Sequence, residues 1–248
     1  MQLVRVKLIE EGNEGCELAP VEIIKELKNI KKINVNKLNL EEIHVDLNNI
    51  NEANHLIFEN SKELFEMNDK CFFIGGDNSI NYSLIRGFDK VVNGLLIVFD
   101  AHTNCDENGW IRRLVENGFL GRNIILLGCR NIGDNELKFI KDEEISLIKM
   151  EILNEDLEGV CDMVMERVKI SNGFYVNFSL NCVDPGFAPG VCCLESGGIS
   201  ANESLYFVKR LKLLENFKGM GVVNLNPDKD FNRMTINLGA RLLGSAIL

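Results

Sequence analysis

Short apolar runs alternate with amphipathic stretches along the whole chain. The most apolar run is Leu95–Asp100, which is Leu-Leu-Ile-Val-Phe-Asp. Runs that are apolar on both faces and separated by helical segments are typical of a parallel sheet covered by helices on both sides. The pattern predicts about eight strands, at Leu3–Ile9, Glu42–Leu47, Cys71–Gly75, Leu95–Asp100, Ile124–Gly128, Ile145–Met150, Phe174–Leu180 and Gly221–Leu225.

The stretches between these runs have helical periodicity. They predict helices at Ala19–Lys28, Glu52–Glu66, Ser79–Phe88, Trp110–Asn117, Asp134–Lys141, Glu155–Val168, Asn202–Leu214 and Arg233–Leu248. Pro20 falls in the first turn of the first helix, where its missing N–H is tolerated. The sequence contains no linker, internal repeat or low-complexity segment. We therefore predict a three-layer α/β fold with a mainly parallel sheet, as one domain over residues 1–248.

Composition and charge narrow the classes of partner. The chain has 248 residues, 46% of them hydrophobic, and a net charge of −10 without a cluster of Lys and Arg. Nucleic acid is therefore not expected as a partner, because a binder must neutralise phosphates. No run reaches the roughly 18 apolar residues of a membrane span, and Met1–Glu10 lacks the features of a signal peptide. We expect a cytoplasmic protein whose cysteines are reduced, with no structural zinc site, since no CxxC pair occurs.

Polar residues cluster directly after four of the predicted strands. The four segments are Gly75–Ser79, Asp100–Asn104, Ser179–Pro185 and Asn224–Pro227. In open α/β sheets, ligands bind at the carboxyl ends of the strands. The sequence therefore predicts a site where these segments meet.

These segments, in this order, resemble the ureohydrolase family of arginases, agmatinases and formimidoylglutamases. The family's motifs are Gly-Gly-Asp-His-Ser, Asp-Ala-His-x-Asp, and Asp-x-Asp-x-x-Asp-Pro followed by Ala-Pro-Gly. Further matches are Gly15–Pro20, Leu127–Arg130, Asp184–Gly190, Glu195 and Gly197–Gly198. The resemblance covers nearly the whole chain and implies the arginase-like three-layer fold.

The resemblance also implies a catalytic pair of divalent cations, usually manganese, roughly 3.5–4 Å apart and bridged by hydroxide. The family holds this pair with four Asp and two His. The corresponding positions here are Asn78, Asp100, His102, Asn104, Ser179 and Asn181. Asp100 and His102 remain, whereas amides and a hydroxyl are weak ligands for manganese. We therefore expect a degenerate site and no cofactor.

Three further positions belong to the substrate cleft that the resemblance implies. Asn224 stands where the family has a Glu that accepts the guanidinium group, and Glu195 lies in the loop after the third motif. Asn108 takes the place of the family's proton-relay His, with a spacing one residue shorter. Asp77 and Asp184 are expected to cap backbone amides in their turns.

Several functions remain open at this stage. One is a non-catalytic family member that binds a small molecule, forms a homo-oligomer (trimer or hexamer by resemblance) or regulates an active paralogue. The alternative is an active hydrolase of linear amidines or guanidines, with a residual manganese ion at Asp100 and His102. A zinc–thiolate site with these two residues, and a nucleophilic Cys with His102 as its base, also stay open. The candidate thiols are Cys105, Cys182, Cys192 and Cys193.

Overall fold

The computed structural model describes residues 1–30, 33 and 38–248. Its sheet has the strand order β2-β1-β3-β8-β7-β4-β5-β6. Every strand pairing in it is parallel. The strands are β1 (Gln2–Val6), β2 (Asn39–Ile43), β3 (Cys71–Ile74), β4 (Leu95–Phe99), β5 (Ile124–Cys129), β6 (Ser146–Lys149), β7 (Phe174–Ser179) and β8 (Phe217–Val223). The predicted parallel sheet is confirmed.

Helices cover both faces of this sheet. They are α1 (Ala19–Leu27), α2 (Ile50–Met67), α3 (Ser79–Val92), α4 (Trp110–Glu116), α5 (Asp134–Asp142), α6 (Met150–Glu155), α7 (Leu157–Lys169), α8 (Ala201–Leu211) and α9 (Met234–Ile247). Among these described helices, none has the length and apolarity needed to cross a membrane.

Side chains of each strand alternate between two hydrophobic cores. On β3, Phe72 packs into the core shared with α1, α8 and α9, whereas Phe73 packs into the core shared with α2 and α3. On β4, Ile97 and Val98 divide in the same way. Alternation with a period of two is what a strand buried on both faces requires. The result is the predicted three-layer arrangement.

Three strands have other limits than their apolar patterns predicted. β1 spans Gln2–Val6 rather than Leu3–Ile9. β2 spans Asn39–Ile43 rather than Glu42–Leu47, because its partner β1 ends at Val6, opposite Ile43. β8 begins at Phe217, which packs in the core and pairs with Phe174, and it ends before Asn224. Asn224 has a φ of 67°, a left-handed conformation that an Asn tolerates and that interrupts a strand.

One helix, α6, was not predicted from the apolar pattern. The predicted strand Ile145–Met150 stops at Lys149, and α6 follows at once. Asp156 then caps the next helix, because its side chain accepts a hydrogen bond from the Gly159 amide. An Asp at this position starts a new helix, so the predicted Glu155–Val168 helix corresponds to α7.

Candidate functional site

The strand order brings the four predicted polar segments to one edge of the sheet. β3, β8, β7 and β4 are consecutive neighbours, and their carboxyl ends carry these segments. Phe99 pairs with Phe178, so Asp100 and Ser179 leave the sheet side by side. Ser179 pairs with Val223, which places Asn224 next in line. The predicted convergence is confirmed.

Asp100 lies at the centre of a network of amides. Its Oδ2 accepts hydrogen bonds from Asn78 Nδ2 at 2.9 Å and from Asn104 Nδ2 at 3.2 Å. Asn78 Nδ2 also donates to Asn104 Oδ1 at 3.2 Å, and Asn81 donates to Asn78 Oδ1. The carboxylate is fully buried, so these amide donors supply the polar partners that a buried charge needs.

Ser179 and Asn224 form a second buried pair beside this network. Asn224 Nδ2 donates to Ser179 Oγ at 2.8 Å, and its backbone N–H donates to the Gly76 carbonyl. Asn181 is also buried, and its Oδ1 lacks a hydrogen-bond partner among the residues that the structure describes. Side-chain hydrogen bonds within the site therefore involve five positions, which are Asn78, Asp100, Asn104, Ser179 and Asn224.

His102 joins the network to the loop that follows β7. Its Nδ1 lies 3.7 Å from Asp100 Oδ1, and its Nε2 lies 3.2 Å from Glu195 Oε1. Asn131 Nδ2 donates to the same Glu195 oxygen at 2.9 Å. The Asp100 carboxylate, and after it Glu195, raise the pKa of His102 above its ordinary value. The Asn131 amide and then His102 lower the pKa of Glu195.

The loop that carries Glu195 is held by Asp184 and Arg130. Asp184 accepts hydrogen bonds from backbone amides of Gly186, Gly197 and Gly198, which confirms its predicted capping role. Arg130 donates to four backbone carbonyls of this region. Asp77 caps the turn after β3 in a similar way, through the Ser79 and Glu10 amides.

The cysteines differ in their positions relative to the site. Cys105 and Cys182 are fully buried, and their sulfurs donate to the Thr103 and Leu127 carbonyls. Cys192 Sγ lies 2.9 Å from Cys16 Sγ. Cys193 Sγ lies 3.9 Å from His102 Nε2. Of these predicted candidates, Cys193 is the thiol that reaches His102.

Burial raises the pKa of the Cys193 thiol, and the nearby Glu195 carboxylate adds to the effect. A nucleophilic thiol is instead activated by a lowered pKa. The environment of Cys193 therefore opposes the nucleophile hypothesis.

Asn108 is exposed, and its backbone N–H donates to the Asp106 carboxylate. Its assignment to the cleft stays a prediction. His44 and His55 are exposed. Arg130 ends the segment Leu127–Arg130 that was matched from sequence, whereas Asn131 was not singled out, although it lies beside Arg130 after β5 and obeys the same strand-end rule.

The residues present do not fit a pair of manganese ions. Two nearby dications repel each other, so a dinuclear site needs several carboxylates. Asp100 supplies one carboxylate among the six matched positions. Asn78 and Asn104 direct N–H donors towards it, and an N–H donor cannot coordinate a cation.

Comparison with known proteins agrees with the fold and the motifs. The sequence model of the arginase family matches residues 4–248. Formimidoylglutamase of Bacillus subtilis (strain 168) is 25% identical over 226 residues, which are 84% of this chain and 70% of that protein. Mitochondrial arginase 1 of Arabidopsis thaliana is 25% identical over 245 residues, which are 93% of this chain and 67% of that protein.

Solved structures superimpose over the whole chain. Bacillus subtilis formimidoylglutamase gives a TM-score of 0.91 at 24% identity and covers 99% of this chain and 85% of its own. Arginase from Bacillus subtilis gives a TM-score of 0.87 at 19% identity, covering 100% and 98%. These likenesses establish the arginase-like fold. Together with the match to the family model, they show that the chain belongs to the arginase family.

Proposed function

We propose that this chain is a non-catalytic member of the arginase family, which has lost the dinuclear manganese site and the amidinohydrolase activity. The observation that carries the proposal is the pair of hydrogen bonds from Asn78 and Asn104 to Asp100 Oδ2. Buried carboxylates without cations would repel one another. Amides keep the size and the hydrogen bonds of those side chains and remove their charge.

The two groups that the family's reaction needs besides the metal pair, a guanidinium acceptor and a proton carrier, are also replaced. Asn224, at the position of the guanidinium-accepting Glu, is neutral and donates its amide to Ser179. At the position of the proton carrier, Asn108 has no titratable proton to transfer. Metal activation lowers the pKa of water to about 7, so the loss of this step alone costs many orders of magnitude in rate.

The alternative is a hydrolase with one residual metal ion at Asp100 and His102. Both oxygens of Asp100 already accept hydrogen bonds, Oδ2 from two amides and Oδ1 from the His102 backbone at 3.2 Å. A metal ion at Asp100 would have to displace at least one of these donors. We therefore favour the non-catalytic function.

A buried acceptor in the site supports the binding of a small polar molecule. Asn181 Oδ1 is buried without a partner among the described residues, and leaving such an acceptor unpaired costs about 1–3 kcal/mol. A ligand with an N–H or O–H group would recover this free energy. We propose such a ligand, and a cytoplasmic homo-oligomer; a pull-down from the native cell tests whether it pairs with an active paralogue.

Activity measurements test this proposal. We expect no hydrolysis of arginine, agmatine, guanidinobutyrate or formimidoylglutamate above the uncatalysed rate, with manganese added. The control is a variant with four ligands restored, Asn78→His, Asn104→Asp, Ser179→Asp and Asn181→Asp. It should recover manganese binding, and turnover should follow only when Asn224→Glu is added.

Hydrolysis of any of these substrates by the unmodified chain, at a normal enzymatic rate, would contradict the proposal. Loss of that activity in Asp100→Asn and in His102→Gln would then favour the residual-metal alternative. An unmodified chain that binds no manganese and stays inactive, beside a restored variant that binds manganese, would support the loss of the site.

A further inference from the structure

Three potential metal ligands lie together at the mouth of the site, and two of them are outside the six matched positions. They are the imidazole of His102, the thiol of Cys193 and the carboxylate of Glu195, with ligand atoms within 4.8 Å of one another. We propose that these three side chains bind a single zinc ion, with water as the fourth ligand. Imidazole, thiolate and carboxylate are the donors that zinc takes in proteins.

The two distances from His102 to the other ligand atoms are close to those of a tetrahedral zinc site. With zinc bonds of about 2.3 Å to sulfur and about 2.0–2.1 Å to nitrogen and oxygen, sulfur and nitrogen lie about 3.6 Å apart, and nitrogen and oxygen about 3.3 Å. Here His102 Nε2 lies 3.9 Å from Cys193 Sγ and 3.2 Å from Glu195 Oε1. The third pair, the Cys193 sulfur and a Glu195 carboxylate oxygen, lies within 4.8 Å, so a movement of the exposed Cys193 side chain towards Glu195 would complete the geometry.

Two ligands already have partners that orient them. Asn131 Nδ2 donates to Glu195 Oε1 at 2.9 Å, and the Asp100 carboxylate lies behind the other ring nitrogen of His102 at 3.7 Å. A carboxylate behind a metal-ligating His is the usual outer partner in zinc sites, where it fixes the ring and increases its basicity. Asp100 would therefore act on the ion through His102 and not as a ligand.

The loop that contributes Cys193 and Glu195 is anchored independently of the three ligands. Arg130 Nη2 donates to the Glu195 carbonyl at 2.6 Å, and Asp184 Oδ2 accepts from the Gly197 amide at 2.8 Å. The two ligands are thus held near His102 by contacts in which their own side chains take no part. Preorganisation of this kind reduces the entropy cost of binding an ion.

This site differs from a dinuclear manganese site in position and in chemistry. The thiolate of Cys193 is a soft ligand that selects zinc over manganese. The inference does not rest on the proposed function, because zinc binding by Cys193 and hydrolysis with manganese are measured separately. Either can fail while the other holds.

Titration of the purified chain with zinc, and with cobalt(II) as a spectroscopic probe, tests the inference. A non-thiol reductant keeps the cysteines reduced. We expect about one equivalent of zinc in competition with a chromogenic chelator, as three protein ligands and water require. Bound cobalt should show the intense visible absorption of tetrahedral geometry and a near-ultraviolet band from thiolate-to-cobalt charge transfer.

Variants identify the ligands. Cys193→Ser should remove the charge-transfer band and weaken zinc binding at least about 100-fold, since loss of an outer partner alone costs 10–100-fold. Glu195→Gln should weaken binding and keep the band, and Asn131→Ala should weaken it by about 10-fold. Cys192→Ser is the matched control, because the Cys192 sulfur contacts Cys16 and not His102. It should bind zinc like the unmodified chain.

The inference fails if the unmodified chain takes up no zinc at micromolar concentrations. It also fails if Cys193→Ser binds zinc as tightly as the unmodified chain, or if Cys192→Ser removes the charge-transfer band. Cys193 is exposed, so its replacement should leave the fold intact, and circular dichroism of each variant checks this. Should Cys193→Ser nevertheless unfold, Glu195→Gln decides the question. Weaker zinc binding by this variant would support the inference, and unchanged binding would contradict it.

Discussion

Amide side chains surround the buried Asp100 carboxylate at the scale of single residues. Asn78 and Asn104 each donate an amide N–H to Asp100, and Asn224 donates one to Ser179. An ionised carboxylate has no N–H to donate. Asn104 and Asn224 also adopt left-handed backbone conformations, with φ of 55° and 67°. Asn is one of the few residues that tolerates this region, so these two positions satisfy the backbone and the hydrogen-bond network together.

Asn104→Asp should destabilise the protein at neutral pH. The change removes a donor to Asp100 and places a second carboxylate at a distance of about 3 Å, where like charges repel. We expect a loss of about 2 kcal/mol, which for a chain of this size lowers the Tm by roughly 4–8 °C. Asp tolerates the left-handed backbone as Asn does, so backbone strain does not contribute.

The pH dependence of this loss follows from the direction of the pKa shift. Repulsion raises the pKa of the new carboxylate pair in the folded state. The destabilisation is therefore complete above the folded pKa and decreases as the pH falls towards the unfolded value, about 3.9. Thermal unfolding at pH 7.5 and 5 measures it, with Asn172→Asp in an exposed loop as the control. A loss that is the same at both pH values would contradict the account.

The loop after β7 brings two further side chains to this site at the scale of elements. It places Cys193 and Glu195 beside His102 and is closed by the hydrogen bonds of Asp184 to Gly186, Gly197 and Gly198. The Gly186 amide, and then those of Gly197 and Gly198, lower the pKa of Asp184. The stability that Asp184 provides is present above its unfolded pKa and is lost as the pH falls through its lower folded pKa.

Asp184→Asn should therefore lower the Tm most at neutral pH. The difference from the unmodified chain should narrow between pH 7 and about pH 3, as Asp184 becomes protonated in the unfolded state and then in the folded state. Thermal unfolding over this range provides the measurement, with the exposed Glu107→Gln as a control. A difference that widens in acid would show that Asp184 does not hold the loop as a carboxylate.

Strands and loops differ in how far the sequence determines them. β3, β4 and β7 were predicted within one residue, because each is an apolar run with both faces buried. β2 was misplaced, since its limits depend on pairing with β1 and not on its own side chains. The contact of Cys193 with His102 could not be predicted, because it depends on a turn closed by hydrogen bonds to Asp184.

A single sheet connects both hydrophobic cores at the scale of the whole molecule. β3, β4 and β7 contribute alternate side chains to each core, so neither core can persist without the sheet. This supports the proposal that residues 1–248 form one domain. The convergence of the site depends on the same sheet, because the strand order sets which strand ends are neighbours.

One cooperative unfolding transition should follow from this arrangement. The only tryptophan, Trp110, lies in α4 within one core, whereas far-ultraviolet circular dichroism reports on all helices. We expect the two signals to give the same midpoint in a denaturant titration, which is the test for a single unit. Two separated midpoints would contradict the one-domain proposal.

Sedimentation of the folded chain without denaturant would show whether it forms the trimer or hexamer that the resemblance implies.

Manganese binding by the unmodified chain tests the central claim most directly. After dialysis against millimolar manganese and removal of free metal, elemental analysis should find less than about one equivalent, because one carboxylate and one imidazole form an incomplete shell. The variant with Asn78→His, Asn104→Asp, Ser179→Asp and Asn181→Asp serves as the positive control and should retain more. Two tightly held equivalents of manganese in the unmodified chain would contradict the account.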